Sequence, residues 1–118
     1  MKAKEFSDRY YLHDSLMDQV SFAKEEAVVS MTIDLAFWMQ SWYEEGMAET
    51  GLISVTFRSV EEYSCPENVD WKQISILQAE ASDGAISFSL LNDAEDSCFE
   101  MRIKSDDIEV KILDRCER

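Results

Sequence analysis

Apolar and polar residues alternate along most of the chain with a period of two. From Ala27 the odd positions hold Ala27, Val29, Met31, Ile33, Leu35 and Phe37, while the even positions include Glu26, Ser30, Thr32 and Asp34. Successive side chains of an extended chain point to opposite faces, so this pattern predicts a half-buried strand. Leu16 to Ala23 reads as the strand before it, with Leu16, Val20 and Phe22 on one side and Met17, Gln19 and Ser21 on the other, and Lys24-Glu25-Glu26 as the hairpin turn. Ile53, Val55 and Phe57 alternate with Ser54, Thr56 and Arg58 in a third strand that ends near Val60. Its valine and threonine content suits a pleated surface. Ile74 to Ala81 and Ala85 to Leu91 flank Ser82-Asp83-Gly84, and Asp-Gly between two such runs marks a hairpin. Phe99, Met101 and Ile103, then Ile108, Val110 and Ile112, alternate with charged residues on either side of Ser105-Asp106-Asp107.

The last pair places Glu100, Arg102 and Lys104 across from Glu109 and Lys111, as expected of a solvated outer face. About seven strands joined mostly by short turns predict a mainly β chain: an antiparallel meander that buries one apolar face as a sandwich or a partly closed barrel. Two stretches depart from the alternation. Lys4 to Asp14 has Phe6, Tyr10 and His13 near helical spacing, predicting a short N-terminal helix or turn. Leu35, Trp38, Met39, Trp42 and Tyr43 would form one stripe on a helix ending at Gly46, but the reading taken is a strand to about Phe37 followed by a loop or a single helical turn as far as Gly51. No internal repeat, low-complexity segment or linker is visible, and Pro66 with Asn68 and Asp70 marks a surface loop.

A chain of 118 residues with 46% apolar and 31% charged side chains suits one domain, residues 1–118. Eleven basic against 25 acidic residues leave a formal charge of −14. Such a charge argues against nucleic acid and anionic membranes as partners, because both are repelled at a distance. The field is uneven: residues 1–60 hold five basic and ten acidic side chains, residues 61–118 six and fifteen. The longest apolar run, Leu35 to Met39, is five residues, far short of the roughly 20 that span a bilayer. The basic N-terminus has no apolar stretch behind it to serve as a signal-peptide core. Cys65, Cys98 and Cys116 are odd in number and widely spaced, so they read as reduced thiols and the expected location is cytoplasmic.

Candidate chemistry is sparse. His13, the single histidine, precedes Asp14 and Ser15, but a catalytic triad needs its members to converge in space, and Asp and Ser before a strand are ordinary turn residues. A Cys65–His13 dyad would have to form beside Glu61, Glu62 and Glu67, carboxylates that oppose a thiolate. Asn92 to Asp96 is the densest acidic stretch. Read as a calcium loop from Asn92, it has Ala94 at position three and Ser97 where glycine is required. No catalytic residue, metal site or cofactor is expected. Trp38, Trp42 and Tyr43 stand immediately before Glu44, Glu45 and Glu49. The two tryptophans either close the end of the core or supply a rigid anchor inside an acidic rim, an arrangement suited to a basic protein partner.

The stretch Tyr11-Leu-His-Asp-Ser-Leu-Met-Asp-Gln-Val, the alternating strand through Asp34 and Gly51-Leu-Ile-Ser-Val-Thr-Phe-Arg-Ser-Val resemble a pattern in small uncharacterised bacterial protein families, some assigned as immunity proteins of polymorphic-toxin systems. The resemblance spans roughly residues 10–60. It implies a small cytoplasmic β-rich protein that acts by binding, and it carries over no functional residue. The expected function is therefore a non-catalytic protein-binding module of immunity type. Two other classes stay open: a small hydrolase or metal-dependent enzyme using His13 or a carboxylate pair, and a homo-oligomeric structural protein, such as a homodimer, paired through a strand edge.

Overall fold

The computed structural model describes residues 1–113. Helix α1 (Ala3–Arg9) is followed by strands β1 (Leu16–Ala23), β2 (Val28–Ala36), β3 (Thr50–Arg58), β4 (Glu62–Ser64), β5 (Ile74–Ser82), β6 (Ala85–Asn92), β7 (Ser97–Lys104) and β8 (Asp107–Ile112). All eight strands belong to one antiparallel sheet, ordered β4-β7-β6-β5-β1-β2-β3-β8 and not closed into a barrel. The mainly β, antiparallel reading therefore holds, with β4 as an additional three-residue strand. Between β2 and β3 the chain makes one 3-10 turn, Phe37–Met39, and then a loop to Thr50.

The inner face carries Val29, Met31, Ile33 and Leu35 of β2 and Ile53, Val55 and Phe57 of β3 together with Met17, Ile74, Ile76, Phe88, Leu90, Met101, Ile103 and Ile108, all buried in one cluster. Strand β1 differs from its sequence reading. Leu16 is exposed and Met17 is buried, because the register breaks between Asp18 and Ser21 and Gln19 takes a positive φ of 53°. Beyond this bulge Phe22 lies opposite Val29, back on the inner side. A bulge turns every following side chain to the other face, which an alternation count does not register.

The pairing pattern repeats although the sequence does not. Strands β1-β2-β3 and β5-β6-β7 are two meanders, and each gives its following strand to the other: β4 pairs with β7 and β8 with β3. Tyr63 opposite Ile103 in one exchange corresponds to Ile108 opposite Phe57 in the other. The first strands of the two halves meet only at Leu16↔Ser75 and Met17↔Ile74, and β1 and β5 each carry a bulge just beyond that contact. The halves are thus related by a pseudo-twofold through the β1–β5 contact. The two crossings share a corner, where Glu61 N–H donates to the Lys104 carbonyl (2.8 Å) and the Ser105 hydroxyl to the Arg58 carbonyl (2.6 Å).

Helix α1 packs on β5 and β6 of one half and on β8 of the other. Seven residues are too few for a stable isolated helix, so packing must hold it. Phe6 is fully buried between Tyr10 and Phe57, with ring centroids 5.5 and 6.2 Å away. On the pseudosymmetric side, between β1 and β4, Phe22 packs against Tyr63 with ring centroids 4.6 Å apart and planes tilted by 41°.

Candidate functional site

Antiparallel connectivity sorts the connections to two ends of the molecule. The tight turns at 24–27 and 83–84 share one end with the crossings at 59–61 and 105–106, and backbone hydrogen bonds join Val60 to Ala27 and Ser105 to Gly84. The opposite end collects the three long segments, 10–15 before β1, 37–49 between β2 and β3 and 65–73 between β4 and β5, together with the four-residue turn 93–96 between β6 and β7.

Charge divides between these ends. Near the tight turns four acid–base pairs form, Arg58 with Glu109 (2.5 Å), Arg102 with Glu62 (3.7 Å), Lys104 with Glu61 (4.0 Å) and Lys2 with Asp106 (3.9 Å), while Glu25, Glu26 and Asp83 at that end have no cationic side chain within 4.0 Å among the described residues. The hydrogen bond from Arg58 lowers the Glu109 carboxyl below the ordinary range and raises the guanidinium in turn. At the long-loop end Glu44, Glu45 and Glu49 on one loop, Glu67 and Asp70 on the next, and Asp93, Glu95 and Asp96 on the third are all exposed. None of these eight has a cationic side chain within 4.0 Å among the described residues. Lys72 is the single lysine or arginine on these segments.

The same end carries the exposed apolar surface. Tyr11, Leu16, Trp38, Met47 and Ile112 are all there, and of the large exposed apolar side chains only Phe22 lies toward the other. Trp38 is 57% exposed, and its backbone N–H is held by the Glu49 carbonyl (3.1 Å), which ties the two ends of the loop together. Trp42 is packed instead, edge-on to Phe37 (5.4 Å) and Tyr10 (6.1 Å), with its indole N–H donating to the Arg9 carbonyl (3.2 Å). Tyr43 is half-buried against the core, whereas Glu44, Glu45 and Glu49 project into solvent. The fold thus brings the sequence-derived candidates onto one loop, with Trp42 as its root and Trp38 as its exposed ring.

Sequence reasoning missed a second feature, the clamp on residues 10–15. Gln40 is only 5% exposed. Its side-chain oxygen accepts the Tyr11 N–H (2.7 Å), and its side-chain nitrogen donates to the carbonyls of Tyr11 (2.8 Å) and Ala36 (3.0 Å). A buried amide fully used on a neighbouring segment fixes that segment's direction. With Leu12 buried, Tyr11 and His13 face outward together, ring centroids 6.0 Å apart. His13 Nδ1 lies 2.7 Å from the carbonyl of Leu77, the residue skipped by the β5 bulge. A carbonyl can only accept, so Nδ1 carries the hydrogen and Nε2 of the neutral ring is an acceptor, 3.5 Å from Asp14 Oδ2. Gln40 and Tyr11 are 29 residues apart, and nothing in the sequence signals that they meet.

The remaining candidates separate in space. Ser15 is buried with an unpartnered hydroxyl and is not bonded to His13, so His13, Asp14 and Ser15 do not form a triad. Burial raises both the Cys65 thiol and the Tyr63 phenol above their ordinary values. Asn92 caps its own turn, its side-chain oxygen accepting the N–H groups of Ala94 and Glu95. Among the described residues no group of three or more His, Cys, Asp or Glu side chains is placed to hold a metal ion, and no helix is long and apolar enough to cross a membrane. Cys116 lies outside the described residues.

Comparison with protein-family models, with curated proteins and with solved structures returned no match.

Proposed function

We propose that the protein is a non-catalytic binding module whose long-loop end docks on a basic protein partner, in the manner of an immunity-type inhibitor acting in the cytoplasm. One observation carries this reading: the eight carboxylates without a cation and five of the six large exposed apolar side chains occupy the same end. Uncompensated charge accelerates encounter with an oppositely charged surface, and a rigid ring that becomes buried on contact slows release. Trp38 is the anchor, Trp42 supports the loop from beneath, and Glu44, Glu45 and Glu49 form the rim beside it.

The test is affinity capture from the source cell's lysate at low and moderate salt, with the wild-type chain, Trp38→Ala, and a variant combining Glu44→Gln, Glu45→Gln and Glu49→Gln. The expected result is one stoichiometric basic protein, released as salt rises. Trp38→Ala should weaken it about tenfold or more, and the triple variant should flatten the salt dependence. A retained protein indifferent to both variants, or nothing retained at either salt, overturns the proposal.

A further inference from the structure

We infer that the cleft beside Tyr11 and His13 is a seat for a single arginine side chain of the partner, an inference that rests on the binding reading above and names the chemistry of its contact. The cleft encloses about 360 Å³ between the end of α1, the clamped segment and the β5 bulge, with Ser7, Tyr11, His13, Gln78 and Ala79 among its walls. It lies at the same end as the acidic loops.

Three features select a guanidinium. Tyr11 is 53% exposed and its backbone is held on both sides by Gln40, so an aromatic face is presented from a fixed point of the chain. A planar cation stacks on such a face. In the neutral ring, with its one hydrogen on Nδ1 facing the Leu77 carbonyl, His13 Nε2 is an acceptor in the cleft wall, and the carboxylate of the adjacent Asp14 stands 3.5 Å from it as a second. A guanidinium has five N–H donors in a rigid plane and can satisfy both while stacking, whereas an ammonium is a compact, strongly hydrated point charge. Asp14 has no lysine or arginine within 4.0 Å among the described residues, so its carboxylate has no cation at contact distance there. Preorganisation supplies the rest, since the clamp, the bulge carbonyl and the ring are already in place before anything binds.

The probes are Nα-acetyl-arginine amide and Nα-acetyl-lysine amide, titrated into the full chain and followed by the ring signals of Tyr11 and of His13, the only histidine. The arginine probe should give a saturable shift at both rings and bind about fivefold or more tightly than the lysine probe. Tyr11→Phe keeps the aromatic face and should keep the shift at His13. Tyr11→Ala and Asp14→Asn should each weaken binding about fivefold or more with an unchanged unfolding midpoint, because both side chains are exposed and asparagine tolerates the positive φ of 67° at position 14. No saturable shift at His13, equal binding of the two probes, or binding untouched by Tyr11→Ala overturns the inference. An oligolysine peptide at low salt separates the two readings. If it perturbs Trp38 and the acidic loops while the arginine probe leaves His13 unmoved, only the arginine seat falls; if neither probe binds anywhere, the interface falls with it.

Discussion

At the scale of single residues, sterics and titration give the sharpest expectations. Gly51 faces the Phe37 ring so closely that an added Cβ would come within 2.6 Å of it. Phe37 is itself buried under Trp42, so the ring has little room to retreat. Gly51→Ala should therefore cost about 1–3 kcal/mol in urea unfolding, the range for overpacking a filled site. Tyr63 concerns protons. Burial, reinforced by Cys65, holds its phenol above the ordinary value of about 10, so the unfolded chain loses this proton first as pH rises. The stability it contributes is complete below about pH 10 and is lost as pH climbs toward the folded-state value. Unfolding midpoints at pH 9 and pH 11 should converge in Tyr63→Phe, which has no such proton. The Cys65 thiol, raised by burial in the same pocket, should alkylate more slowly at neutral pH than the exposed Cys98, as peptide mapping after brief iodoacetamide treatment would show.

Individual elements differ in how plainly the amino-acid pattern declares them. Alternation declares the strands most plainly in β2 and β3, which bury every second residue and leave those between partly exposed, as with the inner Val29, Met31, Ile33 and Leu35 of β2. Strand β4 is three residues long, too short for a period to register, and only its pairing with β7 defines it. The faces of β1 are not legible in its sequence, because the bulge at Gln19 is set by the backbone and not by hydrophobicity. The candidate loop is visible as aromatic residues beside glutamates, but the division of labour between exposed Trp38 and packed Trp42 depends on Tyr10 and Phe37, which reach that site only through folding. Helix α1 is marginal alone and anchored by Phe6, so Phe6→Ala should cost about 3–5 kcal/mol. Hydrogen exchange should show the amides of the helix opening first in that variant. Protection of α1 equal to wild type would contradict the anchoring role.

For the whole molecule, the distribution of charge follows from connectivity. Loops rich in glutamate and aspartate fall at one end because antiparallel strands return there, while the ends of β3 and β7 bring Arg58, Arg102 and Lys104 to acids at the other. No segment of sequence displays that separation, since loops far apart in the chain contribute to it. The β1–β5 contact, only two residue pairs wide, is the narrowest join in the sheet. Native-state exchange should find the amides at this join opening with lower free energy than those in the centres of β2 and β6. The exchange of final strands between the halves also bears on synthesis. A ribosome releases β4 while β7, its only pairing partner, is still untranslated, so the first half cannot be finished as it emerges and the fold must close after the second half exists. Cut within residues 65–73, the chain would become two interlocked pieces, each gripping the last strand of the other: a latch with two tongues.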